Sequence, residues 1–387
     1  MTKKIAILGS TGSIGKNLIE LIKTKKNSYK IVLLSANKDY VNLLKQAKKF
    51  KVKNLVVTNE VSYKILKNKT KNLNIKVFNN FDKLNLIFKD KIDYTMSSIT
   101  GLDGLKPTID IIKFTKIIAI ANKESIICGW NLIKKELIKN NTNFVPVDSE
   151  HFSIWYGLIN NKNLIKKIFL TASGGPFLNL QKKEFKNVKI KDALKHPSWK
   201  MGKKITIDSA TMMNKVFEII EAKKIFNLKY KQLSILTHPD SYVHAIIHFE
   251  NGLIKIIAHK TDMKIPIGNS LLSNNKFTYN PNSELEINKL NNLKFKKINF
   301  TKFPAVNLIK LLPNKSSLFE TVLVAANDEF VRQFLGKKIK FDQINKNLTK
   351  LLKKQEFLKY KKKKPSKIED ILKLSDYVRF KIISKEI

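Results

Sequence analysis

The sequence predicts an α/β protein: an N-terminal Rossmann-like doubly wound parallel sheet, a central α+β domain and a C-terminal α-helical domain. Three observations carry this reading. Apolar runs alternate with helical patterns up to residue 148. A glycine-rich loop directly follows the first run. The texture then changes after Glu150, and again near residue 298. Strict β/α alternation argues for a parallel sheet with helices on both faces.

The strand candidates of the first part are Lys4–Leu8, Lys30–Ala36, Asn54–Thr58, Ile92–Ile99, Lys116–Ala121 and Phe144–Val147. Segments such as NLIELIK and VNLLKQAKKF lie between them, with apolar residues at helical spacing. After Glu150, LIKKIFLTASGGPF reads as a strand entering a glycine turn. A polar stretch containing HPSW follows, running to Lys204. One helix is expected over Thr211–Phe226, in a pattern that starts near Ser209. LSILTHP is a strand, and YVHAIIHFENGLIKIIAH is a hairpin turning at Asn251-Gly252. Residues 273–298 are Asn-rich and polar, as a linker would be. Residues 299–387 are helical by pattern.

GSTGSIG spans Gly9–Gly15 and opens a helix at about Ser13, the context of a dinucleotide-binding loop. Gly9 permits the tight turn, Gly12 the approach of a pyrophosphate, and Gly15 close packing of helix on sheet. Ser10, Thr11, Ser13 and Ile14 complete the cradle, and the helix N-terminus favours phosphate. The second strand ends in Ser-Ala-Asn37-Lys38-Asp39. Lys38 and its small polar neighbours suit a 2′-phosphate and favour NADP. Asp39 suits a free ribose, so NAD stays in view at this point.

The formal net charge is +43 over 387 residues. So basic a balance suggests nucleic acid. However, Arg332 and Arg379 are the only arginines, and the lysines are spread along the whole chain. Lys, Asn and Ile share A/T-rich codons, so base composition explains the excess, and neither nucleic acid nor a membrane is expected as a partner. The one cysteine, Cys128, excludes a disulfide framework. No signal-peptide core opens the sequence and no apolar run of membrane-spanning length interrupts it. A cytoplasmic protein is the expectation.

PVDSEH places Asp148 and Glu150 one residue apart after an apolar run. If the strand continues through Asp148, both carboxylates face one side and repel unless a cation or a proton sits between them. The helix over Thr211–Phe226 offers Asn214, Lys215 and Glu218 on one side, hence a third oxygen donor. Hard oxygen ligands without a Cys or His pair point to Mg²⁺ or Mn²⁺. A solvated helix start and an ordinary polar face are the bland alternative. Gly174 and Gly175 form a second turn able to expose Ser173 to a phosphate. ANKES, Ala121–Ser125, ends a strand where ligands of open α/β sheets sit.

GSTGSIG, ANKES, PVDSEH, SGGPF, HPSW, MGKKITIDSATMMNK and THPDSYVH occur in this order. Together they resemble the 1-deoxy-D-xylulose 5-phosphate reductoisomerase family, from residue 1 to at least Met263 and more weakly to VAANDEF. The resemblance implies NADPH- and divalent-metal-dependent rearrangement and reduction of 1-deoxy-D-xylulose 5-phosphate to 2-C-methyl-D-erythritol 4-phosphate, in non-mevalonate isoprenoid biosynthesis. It implies Asp148, Glu150 and Glu218 as metal ligands, with Lys123 and Ser149 on the substrate's oxygens. Ser173, Ser209, Asn214 and Lys215 would bind its phosphate. His196 and Trp199 would ride a flexible loop, about 173–203, that closes over the substrate. Asn122, Glu124, Met201 and Gly202 would join Gly9–Ile14 and Asn37–Asp39 around the cofactor, and a homodimer is expected. The implied domains are 1–148 for NADPH, 149–272 for catalysis, a linker over 273–298 and helices over 299–387. Asn37 and Ser198 depart from the family's usual residues. Glu221 competes with Glu218 as ligand; Glu218 is favoured because it shares a face with Asn214 and Lys215. The alternative is another NADP-dependent dehydrogenase of a phosphorylated substrate. A semialdehyde dehydrogenase would need a nucleophilic cysteine in the second domain, and Cys128 lies in the first.

Overall fold

The structure, a computed structural model, describes residues 2–24, 26–199, 201–271, 277–279 and 284–384. The chain forms two compact units. The first comprises residues 1–125, 132–148 and 263–283; the second comprises 126–131, 149–262 and 284–387.

The first unit begins β1 (Lys3–Leu8), α1 (Ser13–Thr24), β2 (Tyr29–Ala36), α2 (Tyr40–Phe50), β3 (Asn54–Val57), α3 (Glu60–Lys69), β4 (Lys76–Phe78) and α4 (Leu84–Ile87). It continues β5 (Ile92–Ser97), α5 (Leu105–Ile112), β6 (Thr115–Ile120), α6 (Lys123–Lys139) and β7 (Asn143–Pro146). The strand order is β4-β3-β2-β1-β5-β6-β7, and every pair is parallel. Strands buried on both faces need near-continuous apolar runs, which explains IAIL and IVLL. Leu18 and Ile22, one turn apart on α1, enter the same core as Ile5, Ile7, Leu34 and Met96. The order reverses between β1 and β5, and the glycine loop lies at that switch point. The short strand β4 is absent from the sequence reading, because three half-exposed residues carry too little periodicity.

The second unit holds α7 (Ser149–Leu158), β8 (Ile165–Ala172), α8 (Ile190–Ala193), α9 (Lys203–Ala210), α10 (Met213–Ile225), β9 (Leu233–Thr237), β10 (Val243–Phe249) and β11 (Ile254–Ala258). Next, α11 (Lys264–Leu271) returns to the first unit, where the Tyr94 and Ser270 hydroxyls meet at 2.8 Å in its core. The sequence boundary at 272 does not anticipate this return. Then follow α12 (Ile287–Asn291), β12 (Lys296–Lys297), α13 (Phe319–Leu335), α14 (Phe341–Leu352), α15 (Gln355–Leu358) and α16 (Ile368–Ile383). The sheet order is β11-β10-β8-β9-β12. Thus part of the expected linker, Lys296–Lys297, pairs with β9 as an edge strand. Residues 273–276 and 280–283 of that linker lie outside the described residues.

Two local corrections position the site. The strand before PVDSEH ends at Pro146, and Ser149 and Glu150 open α7. They therefore lie at a strand-to-helix junction, not on a continued extended chain. Likewise, the helix expected over Thr211–Phe226 starts only at Met213, and a separate helix, α9, precedes it. Met212 takes φ 65°, ψ 11°, a left-handed conformation that ends α9 and restarts the chain as α10. A non-glycine residue there costs about 1–2 kcal/mol and persists only where surrounding packing holds it. Met212 and Met213 are buried.

Helix α10 is tied to α13 by a buried ion pair. Lys224 Nζ lies 3.4 Å from Glu320 Oε1 and donates to the Ile127 carbonyl at 2.6 Å. Glu320 also accepts from the Ser317 amide and hydroxyl, at 3.0 and 2.5 Å. Breaking such a pair strands an uncompensated buried charge. Glu320→Leu should destabilise the second unit by about 3–5 kcal/mol, and Lys224→Met/Glu320→Leu should recover most of that. Urea midpoints of the three proteins check this; equal midpoints for Glu320→Leu and wild type would refute it.

Candidate active site

In the first unit, Gly9 adopts φ +82°, and a Cβ there would lie 2.8 Å from the Ser98 carbonyl oxygen. A Cβ on Gly15 would meet the Gly9 oxygen and Ser10 Cα at 2.5 Å. These two glycines are therefore required by the turn and by helix packing. Gly12 is different: its nearest neighbour is the Gly9 oxygen at 3.3 Å, so its outer side is open, and Gly12 and Ser13 are exposed. The loop thus presents the start of α1, with its free amides, to an anion. Ser10 is fully buried and its hydroxyl donates to Gln46 Oε1 at 2.7 Å, so that side chain fixes the loop from within. Thr11 and Ile14 are half-buried beside it.

At the end of β2, Asp39 caps α2, accepting from the Asn42 amide at 3.1 Å and its side chain at 2.8 Å. Its carboxylate is committed locally, while Lys38 is exposed. That favours a 2′-phosphate over a free ribose. Asn37 donates to Thr58 Oγ1 at 2.8 Å. Asn122 caps α6 through the Ser125 amide at 2.7 Å and donates to the carbonyls of Ile99 and Gly101, pinning the β5 and β6 loops together. Lys123, next in line, pairs with Asp148 at 2.8 Å, both half-buried or better. Glu124 is buried in the first turn of α6.

In the second unit, the starts of α7 and α10 meet. Glu150 and Glu218 place carboxylate oxygens within 4.8 Å of one another. Between them stands the Lys215 ammonium, which donates to Glu150 Oε1 at 2.6 Å and pairs with Glu218 Oε2. Burial alone would pull Lys215 down, but Glu150 and Glu218 outweigh it and hold the ammonium above the ordinary lysine value. Ser149 donates to Glu150 Oε2 at 2.6 Å, and Asn214 donates to Glu218 Oε1 at 2.5 Å. Hard carboxylate oxygens gathered in this way suit a magnesium-type cation.

Glu221, the rival ligand, lies one turn beyond Glu218 on α10, 3.8 Å from His151 Nδ1. His151 is fully buried, and its Nε2 lies 2.9 Å from the Glu218 carbonyl oxygen. It anchors the backbone of the residue that carries the carboxylate. Its only signal in the sequence is its place two residues beyond Ser149.

A second cluster surrounds His196. The amides of Ser198 and Trp199 donate to its Nδ1 at 3.1 and 3.0 Å, so the neutral ring carries its proton on Nε2. That Nε2–H faces the hydroxyls of Ser173 and Ser209, at 3.2 and 3.1 Å. Burial first, and the Lys215 charge second, push His196 down to about 4, so the ring is a neutral donor at physiological pH. Gly174 and Gly175 both take positive φ, as the turn requires. The Gly175 amide donates inward to Ser173 Oγ at 3.1 Å, so the turn orients the serine. Trp199 packs edge-on to His244 at 6.1 Å, and His244 stacks on His259 at 3.8 Å. Met201 is half-buried and Gly202 caps α9. Residue 200 lies outside the described residues.

Comparison with known proteins bears on the whole chain. Residues 5–129 match the family model described as 1-deoxy-D-xylulose 5-phosphate reductoisomerase. Residues 144–226 match that enzyme's C-terminal domain, and residues 259–381 the DXP reductoisomerase C-terminal domain. The 1-deoxy-D-xylulose 5-phosphate reductoisomerase of Pelagibacter ubique (strain HTCC1062) is 59% identical over 388 residues, covering 100% of both chains. A solved DOX-P reductoisomerase in complex with NADPH, fosmidomycin and magnesium superposes with TM-score 0.90 at 31% identity, over 99% of this chain and 98% of that one. The Zymomonas mobilis enzyme in complex with NADPH gives TM-score 0.85 at 32% identity, over 98% of each chain. With buried acids, histidine clamp and glycine loop all in the matched regions, the chain belongs to the 1-deoxy-D-xylulose 5-phosphate reductoisomerase family.

Proposed function

We propose a division of labour among this chain's residues for the family's reaction. The chain is an NADPH- and magnesium-dependent reductoisomerase that converts 1-deoxy-D-xylulose 5-phosphate to 2-C-methyl-D-erythritol 4-phosphate in the non-mevalonate pathway. The observation that carries the assignment of roles is the buried Glu150–Lys215–Glu218 cluster beside the Ser173–His196–Ser209 clamp. Asp148, Glu150 and Glu218 would hold the divalent ion, which when bound supplies Lewis-acid polarisation of the substrate's ketone. Lys123 and Ser149 would contact the substrate's carbonyl and hydroxyl oxygens, each already fixed by a carboxylate partner.

The phosphate would be held by Ser173, Ser209, Asn214 and Lys215, with His196 donating Nε2–H. Lys215 keeps its proton because two carboxylates favour the charged form, so it meets a phosphate as a fixed cation. Such remote binding energy orients the carbon skeleton for rearrangement. Residues 173–203, led by His196 and Trp199, would close over the substrate and exclude water. Gly9, Ser10, Thr11, Gly12, Ser13 and Ile14 would receive the pyrophosphate of NADPH, and Asn37, Lys38 and Asp39 would border its 2′-phosphate. Asn122, Glu124, Met201 and Gly202 are assigned to the cofactor on the resemblance.

Three finer points belong to the same proposal. Manganese serves in place of magnesium, since oxygen donors accept both. The protein is cytoplasmic, consistent with its single buried free cysteine. No helix among the described residues is long and apolar enough to cross a membrane. Finally, the chain forms a homodimer. The edge strand β11 exposes Ile254 and Ile256, beside exposed Leu253, on an antiparallel sheet edge that invites pairing.

Initial rates of NADPH oxidation test this reading. They should require both 1-deoxy-D-xylulose 5-phosphate and Mg²⁺ or Mn²⁺. Glu218→Gln should lower kcat by about 10²-fold or more while leaving NADPH affinity within about twofold. Lys38→Glu should raise the KM for NADPH about tenfold and leave NADH little changed. A folded preparation without activity sinks the assignment; normal rates for Glu218→Gln sink its ligand set.

The His196 ring should titrate near 4 in the ligand-free protein, read from its NMR resonances. An unfolded ring protonates near 6.5. The unfolded state therefore binds more protons between those values, and this group draws stability away as pH falls from about 6.5 towards 4. Phosphate binding should raise the ring's value. A ligand-free ring titrating at 6.5 or above would contradict its burial beside Lys215.

A further inference from the structure

The phosphate clamp depends on where α9 stands, because Ser209 lies on that helix. Lys204 is in the first turn of α9, where the helix dipole disfavours a cation. Two carboxylates offset this. Lys204 Nζ lies 3.2 Å from Asp208 Oδ2, one turn on, and 2.9 Å from Asp328 Oδ1 of α13. It also stands 5.2 Å over the ring of Phe217, on α10 between Lys215 and Glu218. Asp208 is buried, and its other oxygen accepts from the buried Asn327 side chain at 2.7 Å. Asp328 in turn pairs with Arg379 of α16 at 3.1 Å, and Arg379 also reaches Ser375 Oγ.

The ladder runs from the C-terminal helix through α13 to α9. Arg379 is one of two arginines in the chain; the other, Arg332, forms a two-point pair with Glu329 inside α13. A guanidinium has a fixed donor fork, so its pairing sets direction as well as charge. Asp208 and Ser209 are adjacent. Asn327 holds Asp208 and Asp328 holds Lys204, so α13 grips α9 at two positions one turn apart and fixes its rotation, and with it the Ser209 hydroxyl that meets His196 Nε2.

We propose that Arg379, Asp328 and Lys204 are positioning residues for the phosphate clamp, through which the C-terminal helix sets the place of Ser209. The inference rests on reading Ser173, His196 and Ser209 as the phosphate group's partners. None of the three ladder residues touches the substrate in this scheme. Their loss therefore alters capture of the phosphorylated substrate, not the chemical step or the cofactor.

Steady-state kinetics of the full chain test it, with Arg379→Met, Asp328→Asn, Arg379→Lys and the control Arg332→Met. Asp328→Asn is expected to raise the substrate KM about tenfold and Arg379→Met about threefold, with kcat and the NADPH KM within about twofold. Arg379→Lys should restore most of the affinity, and Arg332→Met should leave it unchanged. An unchanged substrate KM in Asp328→Asn overturns the proposal. So does a rise matched by Arg332→Met, or one shared with NADPH and tracking a fall in Tm. Ser209→Ala separates the two readings. If it leaves the substrate KM unchanged, the clamp itself is wrong and the ladder falls with it. If it raises KM while the ladder variants do not, only the ladder is wrong.

Discussion

Two buried carboxylates held apart by one ammonium organise this protein. Glu150 comes from the start of α7 and Glu218 from α10, and Lys215 lies between them. Left alone in an apolar setting, two such acids would take up a proton or drive the helices apart. Much of the surrounding polar structure holds them in place. Ser149 and Asn214 each donate to one of them, and His151 meets the backbone of Glu218. Burial first, and the same ammonium second, keep the His196 ring of the neighbouring clamp neutral.

Much of this was legible in the sequence. The parallel sheet was readable because buried strands must be continuous apolar runs, and the glycine loop because its geometry excludes side chains at Gly9 and Gly15. Helical spacing alone puts Glu218 on one face with Asn214 and Lys215, and the structure places it beside Glu150. Other features follow from tertiary contacts that no local pattern encodes. The break at Met212 is one, since propensity favours a continuous helix through that stretch. The return of α11 to the first unit is another. Asp39 shows a subtler limit: a residue suited to a ribose hydroxyl proved equally suited to cap a helix, and only the fold decides between the two.

The lysine excess also gains meaning in three dimensions. Most lysines decorate the surface, where each contributes little. A few are buried and paired, and these tie elements together: Lys123 to Asp148, Lys215 to its two acids, Lys224 to Glu320. A compositional bias can therefore be absorbed by the surface while particular positions retain specific work. The two arginines both sit in ion pairs on the C-terminal helices, where directional pairing distinguishes them from lysine.

The left-handed turn at Met212 has a geometric consequence. In one uninterrupted helix, Ser209 and Glu218 would be nine residues apart. At 100° per residue that puts them on opposite faces of the cylinder, separated by about 13.5 Å along its axis. Side chains so placed would point away from each other. Breaking the helix at a single residue folds the two faces towards each other, so that Ser209 meets His196 while Lys215, beside Glu218, acts on the same ring. One left-handed residue thus converts a linear array into a concave one.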